Sequence, residues 1–397
     1  MWRRLAVLLV AVVVALGAWN YLRPVPAVAL TAALTAQYTV PGTPPTIPWP
    51  STGSAAIGVA NLGLVATSGN EHPVSAASVT KVMTALIVLS DKPLLNGAAG
   101  PSITITDTDV SDYQAELANK ESVVTVRAGE QLSELQLLEG LLIPSANNFA
   151  QTLARWDAGT IDAFVASMNK KAVQLGLTHT TFTDTSGAAP ATVSTPSDLM
   201  ALGMAAMKVA VFAQIVAMPQ ADLPVAGTVY NVDGVLGQSG IIGIKTGSGL
   251  EQGANFLFAA NATVDGHPLT LFGCVMSQPT LARAFAIAEG LIASLKSSLH
   301  VRRVITRNQA VASYTAPWGG QADLLSTADV DLVEWPGMIV RQRLDAPAPV
   351  IDKPLPAGTL EGSEHVVLGD YSVDVRLETG SPLYPPGRLW RLTRVNF

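Results

Sequence analysis

ASVTKVMTAL, Ala77 to Leu86, sets a lysine among side chains that are almost all apolar. The run from Val79 to Leu89 reads as a helix of Val, Met, Ala, Leu and Ile, with Ser78 where a hydroxyl can cap the first turn. Ser78 and Lys81 are three apart and share a face of that helix. Two readings compete. In one, Ser78 only caps, and the Lys81 stem runs along apolar surface to keep its ammonium in water. In the other, the ammonium is desolvated, its pKa falls, and the neutral amine becomes a base for the neighbouring hydroxyl. The second reading needs further polar groups from elsewhere in the chain.

Around this helix the pattern alternates between strand and helix. AAIGVANLGLVAT supplies two short strands before it, and a short strand is expected over Ser122–Arg127. Helices follow over Leu132–Leu142, ending at Pro144, then Asn148–Trp156 and Ile161–Leu175, with another after a cap-like Ser197. ANFLFAANAT and HPLTLFGCVM read as antiparallel strands turned through Asp265-Gly266, and Thr280–Leu295 as a closing helix. Early and late strands bracketing a helical block predict one antiparallel sheet and an α+β domain over 51–296. From 297 to 397 the chain changes to short alternating runs separated by Gly and Pro, a second, all-β domain.

Residues 1–30 carry Arg3 and Arg4, an apolar core from Leu5 to Trp19, and Ala27-Val28-Ala29 as a cleavage triplet. They read as an export signal or, uncleaved, a membrane anchor. Residues 31–50, rich in proline, read as a linker or strap. Either fate of the N-terminus places the remainder outside the cytoplasmic membrane. Charged residues are 14% of the chain, against about 25% in an ordinary soluble protein. The net charge of -6 supplies no general basic field, so nucleic-acid binding is set aside. Cys274, in an apolar run, reads as a core filler. The histidines at 72, 179, 267, 300 and 365 include no close ligand pair, so no metal or other cofactor is expected.

Two downstream segments supply the missing polar groups. SANN after Pro144 puts Ser145 and Asn147 at a loop-to-helix junction, where a hydroxyl and an amide can face one cleft or simply cap a helix. GIKTGSG puts Lys245, Thr246 and Gly247 on a short strand, where a cation and a hydroxyl can bind a carboxylate and glycine permits close backbone approach. Ser-x-x-Lys, then Ser-x-Asn, then Lys-Thr-Gly is an ordered signature of acyl-serine chemistry. SMNK at Ser167–Lys170 repeats the first element, but no Ser-x-Asn follows it before Lys245.

On ASVTKVMTAL, LLIPSANNFAQTLA and GIKTG, with FTDTSG, STPSDLMAL and NVDG between them, the chain resembles the serine D-alanyl-D-alanine carboxypeptidases, low-molecular-mass penicillin-binding proteins with a β-lactamase-like catalytic fold. GTLEG and the strands beyond it resemble the small β domain appended in that family. The resemblance implies Ser78 as nucleophile, Lys81 as its base and Ser145 as proton relay. Asn147, Lys245, Thr246, Gly247 and Ser248 would line the substrate site, the Ser78 and Ser248 N–H groups forming an oxyanion hole. Arg283, in LARAFAIAEG, matches an arginine that assists recognition of the terminal carboxylate. The implied substrate is a peptidoglycan stem peptide, with β-lactams as covalent inhibitors and the cytoplasmic membrane as a neighbour through the N-terminal helix. A crosslink-cutting endopeptidase, a β-lactamase and a non-catalytic peptidoglycan-binding scaffold are the alternatives. The sequence departs from the family at Ala146, commonly Gly, at Asn148, often Asp, and at Ser248-Gly249.

Overall fold

The computed structural model describes residues 2–69, 71–95, 97–249 and 253–394. The chain divides into two units, Pro45–Leu299 and Met1–Pro44 together with His300–Phe397.

In the first unit a five-stranded antiparallel sheet runs in the order Ile241–Gly249, Gly253–Val264, His267–Gln278, Ser54–Val59, Gly63–Thr67. Ile241–Gly249 is therefore an edge strand. The two longest strands are joined at Asp265 and Gly266, both with positive φ, as a tight hairpin requires. Successive residues point to opposite sheet faces, and both faces are covered. Phe256 meets Phe285 of helix Leu281–Ser298 edge-on at 4.8 Å, while its neighbour Leu257 packs on Gly203 of helix Pro196–Ala206.

Helix Lys81–Asp91 is the hub of the helical block. It contacts helices Glu134–Leu142, Asn147–Ala158, Ile161–Gln174 and Pro196–Ala206. Residues 81 through 89 are all buried, the expected state of a helix that is apolar all round.

Several details differ from the sequence reading. Ser78 does not cap: it lies in a 3-10 turn, Ala77–Thr80, and no side chain caps either that turn or the helix beginning at Lys81. Helix Pro196–Ala206 is capped by Thr195, with Pro196 in its first turn, while Ser197 is held by Glu71. Residues 122–127 form no strand; Val124 instead exchanges two hydrogen bonds with the Asn148 side chain. Helix Asp107–Ala118, with a capping box between Thr106 and Asp109, was not legible because Asp109 and Glu116 are its buried residues and an apolar stripe is lacking.

The second unit is built on a seven-stranded sheet in the order Ala29–Ala32, Ala310–Thr315, Gln321–Ser326, Tyr371–Thr379, Leu360–Leu368, Ile339–Asp345, Gln37–Thr39. His300–Ile305 pairs separately with Val330–Glu334. The linker expected over 31–50 needs correction at its start, since both edge strands of the large sheet come from residues 29–39. The end of the region expected to be all-β contains the short helix Arg388–Thr393, and residues 395–397 lie outside the described residues.

Candidate active site

Three long-range contacts place the Ser78 turn. Asn255, buried on the second strand of the five-stranded sheet, donates to the carbonyls of Ser75 and Ala76 at 2.9 and 3.1 Å. Ala77 takes a positive φ of 47°. Gly247 of the edge strand approaches so closely that a β-carbon there would stand 3.0 Å from the Ser78 amide nitrogen. The close approach that glycine allows is thus made by the chain's own turn.

Lys81 does not snorkel. It is 0% exposed, and its Nζ donates to Ser78 Oγ at 2.8 Å and to the Ser186 carbonyl at 3.1 Å. Desolvation lowers its pKa to about 7, against the opposing pull of Asp184, Glu116 and Glu121. The amine is therefore readily neutral near neutrality, within bonding distance of a hydroxyl.

The Ser186 carbonyl is aimed by a turn that the family resemblance touched on without assigning a role. Asp184 Oδ2 accepts from Ser186 Oγ and from the N–H groups of Ser186, Gly187 and Ala188, and Oδ1 accepts from Thr192 Oγ1. Thr84 Oγ1 ties the turn to the central helix through the Thr185 carbonyl at 2.6 Å. At Gly187, φ is +82° and an added β-carbon would fall 1.8 Å from the Ala77 carbonyl oxygen. Only glycine fits between the two turns.

Ser145 has a positive φ of 70°, is 4% exposed, and its Oγ has no hydrogen-bond partner among the described residues. A strained, buried hydroxyl without a partner is unusual away from functional sites. Two residues on, Asn147 is buried at the start of helix Asn147–Ala158, its Nδ2 donating to Glu121. Asn148 is 1% exposed and clamps Val124, so the family departure there has a structural role. Ala146 adopts extended φ/ψ at the junction, which alanine accommodates without strain.

Lys245 is 2% exposed and donates to the Thr246 carbonyl at 3.0 Å. Burial, then the nearby Lys81 charge, holds its pKa well below the ordinary lysine value, with Asp233 opposing. Asp233 is itself buried, its carboxyl pushed up to about 6 mainly by desolvation. Thr246 is buried and Ser248 exposed on the same edge strand. Arg283 lies in the first turn of helix Leu281–Ser298, its N–H bonded to the capping Thr280 Oγ1 and its side chain exposed. Among the described residues no hydrogen bond or ion pair holds its guanidinium.

Ser78, Lys81 and the Lys245–Gly247 strand thus meet at one place, while Asn147 is bonded to Glu121, whose charge is felt at Lys81. Ser167 of the SMNK decoy instead bonds back to the Ala163 carbonyl of its own helix. The residues missed in the sequence were Asp184, Ser186, Glu116, Glu121, Asp233 and Asn255. Their signal is tertiary: contacts such as Lys81–Ser186 and Asn255–Ala76 span more than a hundred residues.

Residues 46–280 match the D-alanyl-D-alanine carboxypeptidase family of serine peptidases. The chain belongs to this family. It is 39% identical over 183 residues to the D-alanyl-D-alanine carboxypeptidase DacB2 of Mycobacterium tuberculosis, covering 44% of this chain and 58% of that one. With the D-alanyl-D-alanine carboxypeptidase of Streptomyces sp. strain K15 it shares 34% identity over 251 residues, 58% of this chain and 84% of the relative. The crystal structure of penicillin binding protein 5 from Haemophilus influenzae superposes with a TM-score of 0.63 over 87% of this chain and 100% of that chain. At 19% identity that likeness speaks for the fold, which is the expected α+β catalytic domain with additional β structure. This carboxypeptidase-family member is a serine-type peptidase.

Proposed function

We propose that Ser78 is the acylated nucleophile of a D-alanyl-D-alanine carboxypeptidase that trims peptidoglycan stem pentapeptides. The observation that carries this reading is the 2.8 Å bond between Lys81 Nζ and Ser78 Oγ, with the amine fully buried. Neutral Lys81 takes the Ser78 proton as the oxygen attacks the carbonyl between the terminal D-alanines. The tetrahedral oxyanion is held by the N–H groups of Ser78 and Ser248. Ser145 passes a proton to the departing D-alanine, whose carboxylate is oriented by Lys245, Thr246 and Arg283. Water then cleaves the acyl-enzyme. In a β-lactam the leaving amine stays tethered, so the adduct persists.

The Trp2–Leu22 helix is read as a tether to the outer face of the cytoplasmic membrane. Its 21 residues are predominantly apolar and none is buried. At ~1.5 Å per residue such a helix spans ~30 Å, about the thickness of a bilayer core. Its exit is tied down, because Arg394 donates to the carbonyls of Asn20 and Pro24 at 3.0 Å.

The test is time-resolved D-alanine release from a pentapeptide ending in D-alanyl-D-alanine, using the full chain in detergent and Ser78→Ala as blank. Release that requires Ser78 is the expected result. A folded protein that acylates with penicillin but cuts only crosslinked dimers would make it an endopeptidase. One that binds sacculi without acylation would make it a scaffold.

A further inference from the structure

The Asn147 side chain is held by a carboxylate for which the chemistry above has no use. Asn147 Nδ2 donates to Glu121 Oε2, and the Asn147 backbone N–H donates to the Ser122 carbonyl at 2.7 Å. One residue on, Asn148 Oδ1 accepts from the Val124 N–H at 3.1 Å, and its Nδ2 donates to the Val124 carbonyl at 2.9 Å. Four hydrogen bonds thus zip segment 121–124 to the first turn of helix Asn147–Ala158, and three of them do not involve the Glu121 side chain. The Glu121 N–H also returns to the Glu116 carbonyl at 2.9 Å, fixing the hook that leaves helix Asp107–Ala118.

A primary amide can turn over, exchanging its donor and acceptor ends. An ionised carboxylate only accepts, so it can engage the NH2 end alone. With Glu121 beside it, the Asn147 amide is locked in one of its two orientations. One N–H is spent on Glu121, and the other remains for a peptide carbonyl.

We propose that Glu121 is a positioning residue for the substrate, fixing the orientation of the Asn147 amide so that its free N–H meets the stem-peptide carbonyl. This rests on the active-site reading above. The carboxylate has a second consequence. The charges of Asp184, Glu116 and Glu121 favour protonated Lys81, Glu116 in turn feels Glu121 and Asp112, and Lys245 feels the Lys81 charge. Removing the Glu121 charge makes Lys81 easier to deprotonate.

The test measures kcat and KM for the D-alanyl-D-alanine peptide, and Ser78 acylation by a fluorescent penicillin, between pH 5 and 9. The full chain in detergent is compared with Glu121→Ala, Glu121→Gln, Asn147→Ala and the Glu121→Ala/Asn147→Ala double variant. Glu121→Ala raises KM about tenfold, the size of one lost charge-assisted hydrogen bond. Glu121→Gln, whose Oε1 still accepts, stays within about threefold of wild type, while the acidic limb of acylation moves to lower pH. In the Asn147→Ala background Glu121→Ala adds nothing. A wild-type KM in Glu121→Ala, or an equal fold-change in both backgrounds, overturns the proposal. Should Glu121→Ala fail to fold, an unmoved acidic limb or a tenfold KM rise in Glu121→Gln overturns it as well. Wild-type protein that penicillin never acylates would overturn the active-site reading itself, a result distinct from any of these.

Discussion

Gly247 lies directly against Ser78: a β-carbon on the glycine would stand 3.0 Å from the Ser78 amide nitrogen and 3.2 Å from the Ala76 carbonyl oxygen. The edge strand carrying Lys245 and the turn carrying Ser78 are in van der Waals contact, backbone to backbone. Gly247→Ala is therefore expected to push the two apart by a few tenths of an ångström. Acylation by penicillin should fall about tenfold or more, since small misplacements of reacting groups are costly, while the melting temperature changes by only a few degrees. An alanine variant with the wild-type acylation rate would show that the spacing is not critical.

The buried lysine makes a paired prediction about pH and stability. With its pKa lowered to about 7, Lys81 is charged below that pH and neutral above it. Acylation should rise with unit slope up to about pH 7 and then level. The unfolded chain, with an ordinary lysine, binds the proton more strongly between pH 7 and the ordinary lysine value of 10.5. The Lys81 contribution to stability therefore improves as pH rises through that window. Lys81→Met should reduce acylation about 10³-fold yet melt higher than wild type at pH 6. A lower melting point there would mean that the bonds to Ser78 and Ser186 outweigh the desolvation of the charge.

Asp184 is the organiser of the turn that presents the Ser186 carbonyl. Asp184→Ala removes five acceptor contacts at once and should cost about 2–4 kcal/mol in stability, measured by urea unfolding. Acylation should drop in the protein that remains folded, because Lys81 loses a fixed acceptor. Full activity in a destabilised variant would restrict Asp184 to folding.

Glu134 gives a contrasting case away from the chemistry. It is 1% exposed, its Oε1 has no partner among the described residues, and desolvation pushes its carboxyl up to about 7, with Lys92 opposing. The folded state favours the protonated acid, so the penalty for ionising it appears as pH rises above 4.5 and is complete above about 7. Glu134→Gln should raise the melting temperature at pH 8 and leave it nearly unchanged at pH 5. Equal effects at both pH values would place the cause elsewhere.

The edge strands of the seven-stranded sheet set a limit on truncation. A variant starting at Ala27 keeps Ala29–Ala32 and Gln37–Thr39, whereas one starting at Trp49 loses both. The shorter protein should aggregate on concentration, because strands Ala310–Thr315 and Ile339–Asp345 become open edges. Light scattering of the two truncations checks this, and equal solubility would count against it.

By itself the sequence determined the parts of this enzyme that obey local rules. The apolar run after Ser78 made a helix, Asp265-Gly266 made a hairpin, and the order of Ser78, Lys81, Ser145, Asn147 and Lys245 named the chemistry. Such features need only neighbours a few residues away. Tertiary structure decided the rest. It turned Ser78 from a helix cap into the hydrogen-bond partner of the Lys81 amine, kept Lys81 from reaching water, brought residues 29–39 to the edges of a sheet made mostly of residues beyond 300, and set Glu121 against Asn147. Desolvation and fixed hydrogen-bond geometry are sums over groups far apart in the chain, and they exist only once those groups are packed together.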